Sequence, residues 1–165
     1  MHNQSIRPSM LIGLLASLAM LVIALLFQYV LLIESCPLCS VQRVVVILLA
    51  VLFFIGFTHN PNTSFGKRIY SLLLIMTSSA GLIIASRHTW LQQLPKDKVP
   101  ECGPGLEFWM SNLPVIDVIQ KVFQGSEECS NVTWTFISLT IPEWSIIAFL
   151  AFLFFSFKML FTSYQ

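Results

Sequence analysis

Cys36-Pro37-Leu38-Cys39 is a C-x-x-C pair, and Arg43 follows it by four residues. This spacing fits a redox dithiol, half a zinc site or chance. Its placement narrows the choice, because it lies where one long apolar run ends and another begins, Met10 to Ile33 before it and Val44 to Thr58 after it. If a helix starts near Leu38, Arg43 lies about one turn beyond Cys39 on the same face. A cation beside a cysteine favours the thiolate, which is the nucleophile in disulfide exchange. A second pair, Cys102 and Cys129, falls in the one sizeable polar region, Gln92 to Thr140. Four cysteines allow three pairings, and spacing alone does not choose among them. A Cys102–Cys129 link would close a long loop. Taken alone it suits a structural staple, but Glu101-Cys102-Gly103-Pro104-Gly105 has the composition of an exposed segment open to attack by another protein's thiol. A four-cysteine zinc site usually needs two close pairs, and Cys102 and Cys129 are far apart in sequence.

Of the 165 residues, 56% are hydrophobic and only 10% charged, with a mean hydropathy of +0.78. A soluble domain carries about 25% charged residues, so the chain reads as a membrane protein. The formal net charge of +1 gives no sign of a nucleic-acid partner. The apolar segments predict four spans: Met10 to Ile33, Pro37 to Thr58, Ile69 to Ser86, and Ile141 to about Phe161. The first is too long for the apolar region of a cleavable signal. Pro37 suits the first turn of the second. That start puts Arg43 inside the span near one interface, where an ionisable residue is a functional candidate and a snorkelling arginine is the plain alternative. The third is rich in small residues, which allow close helix approach in lipid. The expected architecture is an all-α membrane protein, one domain over residues 1–165. It is a four-helix bundle with loops at about 34–40 and 87–140, and the long loop carries a short amphipathic helix. In that helix Val115, Ile116, Ile119, Val122 and Phe123 form an apolar stripe, ended by Gly125. The stripe could rest on the membrane surface or pack on the loop's own core.

Four crossings put both termini on one side and all four cysteines on the other. Arg7, Lys67, Arg68 and Lys158 flank the terminal side. The positive-inside rule then makes the termini cytoplasmic and puts the cysteines in the oxidising compartment. Disulfide exchange moves two electrons and needs a final acceptor. With no haem, nucleotide or iron–sulfur motif, a membrane-soluble quinone is the economical choice. Arg43 and His88, both expected at the outer interface, are candidates to bind it. A protein that imports electrons from the cytoplasm would need cysteines able to face it, and none is expected there.

The combination closely resembles the DsbB family of bacterial inner-membrane thiol:quinone oxidoreductases. The matching elements are Cys36-x-x-Cys39-x-x-x-Arg43, Arg87-His88-Thr89-Trp90-Leu91-Gln92, the pair Cys102 and Cys129, and Pro142-Glu143-Trp144. The resemblance implies four membrane helices in the bacterial inner membrane, with periplasmic cysteines. It implies that Cys102–Cys129 takes electrons from a periplasmic thioredoxin-like oxidant, DsbA. It also implies that Cys36–Cys39 re-oxidises that pair and passes electrons to ubiquinone or menaquinone. Carried over residue by residue, Cys102 joins the partner, Cys39 contacts the quinone and Arg43 supports it. The competing expectation is a structural four-helix membrane protein with two stapling disulfides.

Overall fold

The computed structural model describes residues 6–32, 36–61, 63–95, 106–125, 127–130, 132 and 134–162. Four helices are long and apolar enough to cross a membrane: α1 (Arg7–Tyr29), α2 (Pro37–His59), α3 (Ser64–Gln92) and α7 (Ile141–Thr162). Between α3 and α7 lie the shorter α4 (Leu106–Asn112), α5 (Val115–Gln124) and α6 (Glu127–Ser130). They are followed by a two-stranded antiparallel hairpin, β1 (Thr135–Phe136) and β2 (Leu139–Thr140). The fold is therefore the expected all-α membrane bundle, with the expected amphipathic helix in its long loop as α5. The hairpin is an addition that the sequence did not announce.

In lipid every backbone polar group must be satisfied within the chain, so the spans are helical, and α2, α3 and α7 open on side-chain caps. The N-terminus of α2 is capped by Cys36, whose backbone is extended and whose Sγ accepts the Cys39 N–H at 3.4 Å. Pro37 occupies the first helical position, where a missing N–H costs nothing. At α7, Glu143 turns back and accepts from Thr140, from the backbone N–H at 2.6 Å and from the hydroxyl at 3.0 Å. This is a capping-box arrangement at the membrane edge.

The observed bounds differ from the expected spans at two helices. Helix α1 ends at Tyr29, and Leu32 has a positive φ of 51°, so the apolar run outlasts the helix. Helix α3 begins at Ser64, capped by the Thr63 hydroxyl, and runs to Gln92. Lys67, Arg68, Arg87 and His88 thus lie inside it. Charges end a run of hydropathy without ending a helix.

Helix α1 packs along α2, α2 along α3, and α3 along α7. Small residues set two of these contacts. A Cβ on Gly13 would stand 2.3 Å from the Phe53 ring, and one on Gly81 would stand 2.3 Å from the Phe149 ring. Phe53 and Phe149 are among the fully buried side chains of the core. Close approach of this kind drives helix association where lipid supplies no hydrophobic contrast. Gly81→Val should therefore force α3 and α7 apart. A loss of about 1–3 kcal/mol is expected for overpacking of this kind, read as a lower thermal midpoint in detergent. The exposed Phe154→Val is the control that should leave the midpoint unchanged.

Candidate functional site

The site forms where the loop helices close over the loop-side ends of α2 and α3. Capping α2 with Cys36 fixes that sulfur at the helix start, and Cys39 falls within the first turn. Gln42 follows one turn on, where helical spacing turns it toward α3. There Gln42 is buried and its Nε2 lies 3.3 Å from His88 Nδ1. His88, only 3% exposed, stands among the sulfurs. Its Nε2 is 3.7 Å from Cys36 Sγ, and its Nδ1 is 3.9 Å from Cys39 Sγ.

Cys129 reaches the same point from the loop. It sits on α6, which packs against both α2 and α3, and it is fully buried. The reactive atoms of Cys36, His88 and Cys129 all lie within 4.8 Å of one another. The hydrogen bond with Cys36 pushes the Cys129 thiol well above the usual thiol range, and burial adds to the rise.

Arg87, the residue before His88, secures the loop. Its Nε donates to the Phe123 carbonyl at 3.0 Å and its Nη2 to the Gln124 carbonyl at 3.4 Å. These are end carbonyls of α5, where a cation also meets the negative end of the helix dipole. Gly125, with φ of 80°, follows directly, and a Cβ there would stand 2.3 Å from Leu91. The chain can therefore press onto α3 and turn sharply toward α6 and Cys129. Of the predicted stripe, Val122 is buried in the bundle, while Val115, Ile116, Ile119 and Phe123 are exposed.

Arg43 points away from this cluster, toward α1. It donates through Nη1 to Gln28 Oε1 and through Nη2 to the Ala24 carbonyl at 3.3 Å. Beside it lies a cleft enclosing about 80 Å³, lined by Met20, Leu21, Phe27, Cys39, Gln42 and Arg43 among others, with Ile141 and Ser145 of α7 on the far wall. Cys39 and Arg43 thus share one cavity, while His88 does not line it. Near this cleft an aromatic series ties the hairpin to the bundle. Trp134 meets Phe27 at 4.8 Å between centroids and stacks on Phe136 at 5.8 Å, and the Trp144 indole N–H donates to the Phe136 carbonyl.

Of the six residues singled out from the sequence, Cys36, Cys39, Cys129 and His88 come together, and Arg43 stands behind Cys39. Cys102 lies outside the described residues. Gln42 and Gln28 were not on that list. The signal for both was available: an uncharged polar residue inside an apolar span must find an internal partner.

Fold and site together define a multi-pass membrane protein with a buried thiol cluster at one end of its bundle. Comparison with known proteins agrees with that class. The family described as "Disulfide bond formation protein DsbB" matches residues 6–159. A "Disulfide bond formation protein B" of Nitrosococcus oceani is 44% identical over 146 residues, covering 88% of this chain and 86% of the relative. The protein of the same name from Chromohalobacter salexigens is 42% identical over 147 residues, 89% of this chain and 86% of the relative. "Disulfide bond formation protein B 1" of Pseudomonas aeruginosa is 41% identical over 150 residues, 91% of each chain. The chain belongs to the DsbB family of disulfide bond formation proteins.

The raised pKa of Cys129 has a direct consequence for its reactivity. The thiol stays protonated through the range in which an ordinary cysteine ionises, so nucleophilicity is withheld until higher pH. In protein reduced and labelled at Cys129 alone, the iodoacetamide rate should show no inflection near the usual thiol range of about pH 8–9. An inflection there, equal to that of a small free thiol, would contradict the burial and hydrogen bonding described above.

Proposed function

We propose that this protein is a membrane thiol–disulfide oxidoreductase. It re-oxidises a periplasmic, thioredoxin-like dithiol oxidase of the DsbA kind and delivers the electrons to a membrane quinone. The observation that carries this reading is the position of the C-x-x-C turn between two neighbours. Cys36 meets Cys129 of the loop on one side, and Cys39 opens onto the Arg43 cleft on the other. A stapling disulfide needs neither neighbour, whereas a relay needs both.

In this scheme the partner's thiolate attacks a Cys102–Cys129 disulfide at Cys102, in the Gly103-Pro104-Gly105 segment. Cys129 is released and exchanges with Cys36–Cys39, leaving the electron pair on Cys39. Each exchange is an in-line attack of one sulfur on another, so the short separation of Cys36 and Cys129 supports it. Arg87 supports it too, by holding α5, and with it the approach to α6, against α3. The exposed apolar side of α5 can rest in the headgroup region, which keeps the loop near the membrane without freezing it.

The residues around the cleft suit a quinone. Met20, Leu21, Phe27 and Val46 offer apolar walls for a ring and its tail. Arg43 carries five N–H donors, more than Gln28 and Ala24 use, so it retains donors for a carbonyl oxygen. A bound quinone would supply a two-electron, two-proton acceptor beside Cys39; the chain's own part is to orient the ring and exclude water. Ubiquinone and menaquinone both fit this chemistry. The cations Arg7, Lys67, Arg68 and Lys158 favour cytoplasmic termini in the bacterial inner membrane, with the cysteines periplasmic.

Purified protein in detergent, given a reduced thioredoxin-like oxidase and a short-chain ubiquinone, should consume partner thiols and reduce quinone in equal amounts. No consumption of partner thiols would refute the proposal. Arg43→Leu should raise the apparent KM for quinone while leaving single-turnover oxidation of the partner close to wild type. An unchanged KM would remove Arg43 from the quinone site. With a partner carrying a single active cysteine, the trapped mixed disulfide should require Cys102 and survive Cys129→Ser. A complex trapped through Cys129 alone would reverse the proposed order.

A further inference from the structure

Exchange at Cys36 has a proton problem. Cys129 leaves the Cys102 disulfide as a thiolate, but a sulfur so buried and hydrogen-bonded takes up a proton readily, and only the thiolate can attack Cys36. Some group beside it must accept that proton. The nearby guanidinium groups cannot do so, since arginine has no acceptor in proteins. Both are also turned elsewhere, Arg43 to Gln28 and Ala24, Arg87 to the end of α5. What remains among the described residues at this point is the imidazole of His88.

We infer that His88 is a catalytic proton-transfer residue of the exchange between Cys129 and Cys36–Cys39, oriented by Gln42, and not a quinone ligand. The assignment rests on the relay reading above and deepens it. Its basis is geometric. The ring is buried among the sulfurs and does not line the Arg43 cleft. Its two nitrogens face different sulfurs, Nε2 at 3.7 Å from Cys36 and Nδ1 at 3.9 Å from Cys39, and the ring stands within 4.8 Å of Cys129 Sγ. These are the attacked, entering and leaving atoms of one displacement.

The step balances as follows. Nε2 takes the proton from Cys129 Sγ, and the sulfur attacks Cys36 Sγ. The Cys129–Cys36 bond forms, the Cys36–Cys39 bond breaks, and the electron pair leaves on Cys39. The Cys129 sulfur is oxidised and the Cys39 sulfur reduced. The proton stays on the imidazolium, whose Nδ1–H faces the new Cys39 thiolate. Gln42 suits this exchange because its amide is both donor and acceptor. Its NH₂ lies 3.3 Å from Nδ1, and a half-turn brings its oxygen there to accept Nδ1–H when Nε2 must be bare.

The test isolates this one displacement. Protein carrying Cys102→Ser is prepared with Cys36 and Cys39 oxidised and Cys129 reduced, in detergent with EDTA present. It is jumped from pH 5 to values between 6 and 9, quenched with acid, and mapped for the Cys36–Cys129 cross-link. The titratable and charged groups facing the ring are Cys36, Cys39 and Cys129, with Arg43 and Arg87 on the adjoining turns. All are unchanged in the variants. The parent's rate should rise until His88 is neutral and then level off. His88→Gln keeps a hydrogen-bonding side chain but cannot take the proton. It should be slower by about 100-fold near pH 7, a typical general-base contribution, and gain about tenfold per pH unit. Gln42→Leu keeps the base but not its orientation, so it should be slower than the parent and faster than His88→Gln. If His88→Gln matches the parent in rate and pH profile, His88 has no such role and the relay stands. If His88→Gln does not fold, parental behaviour in Gln42→Leu overturns the inference in the same way. If the parent never forms the cross-link at any pH, the relay reading fails and the inference with it.

Discussion

The start of α2 at the membrane edge is the constraint on which the site depends. A helix entering lipid must leave no N–H unsatisfied at its first turn. Here the sulfur of Cys36 accepts one of those N–H groups, and Pro37 removes another. Capping is usually done by an oxygen of Ser, Thr, Asp or Asn. Giving that task to a sulfur fixes one thiol of the C-x-x-C pair to the helix frame, and it fixes the rest by register. Cys39 must fall in the first turn, Gln42 one turn on toward α3, and Arg43 beside it toward α1. The thiol cluster and the cleft therefore meet along one stretch of helix: Gln42 faces His88 and also lines the cleft, while Arg43 lines the cleft and turns to α1.

The loop has to meet this fixed turn. It does so with one buried cysteine on a four-residue helix, held by contacts made elsewhere: Arg87 at the end of α5, Gly125 against Leu91, and Val122 in the bundle. The apolar stripe of α5 splits by depth. Val122 faces inward to the bundle core, and Ile116 and Ile119 face outward and are exposed. The segment is thus joined to the bundle at a few points, and the rest of the stripe is exposed.

Much of this was legible in the sequence, and the misses have physical causes. Hydropathy found all four spans because lipid demands about 20 apolar residues in a row. Bounds for α2 and α7 agree to within a residue. It misjudged α3, because Lys67, Arg68 and Arg87 interrupt hydropathy but remain good helix formers, and it overran α1, because apolar residues after Tyr29 need not be helical. The β1–β2 hairpin escaped because its turn residues, Ile137 and Ser138, take positive φ without the usual Asn or Gly. For the site, the sequence singled out Cys36, Cys39 and Cys129, which the fold brings together, and periodicity placed Arg43 on the side of Cys39. What no spacing could show is which way His88 faces. Its neighbours Cys36 and Gln42 come from a different helix, and only the packing of α2 on α3 sets their distance.

Arg87 clamps α5 through carbonyl oxygens of the main chain, not through any side chain of Phe123 or Gln124. Every amino acid carries that oxygen. Residues 123 and 124 can therefore drift under mutation without loosening the anchor, while the whole burden of keeping it falls on one guanidinium. The grip tolerates variation on the held side and none on the holding side. A lineage could thus recast the surface of the loop to suit a new partner while the tether to the bundle, one residue from His88, stayed as it was.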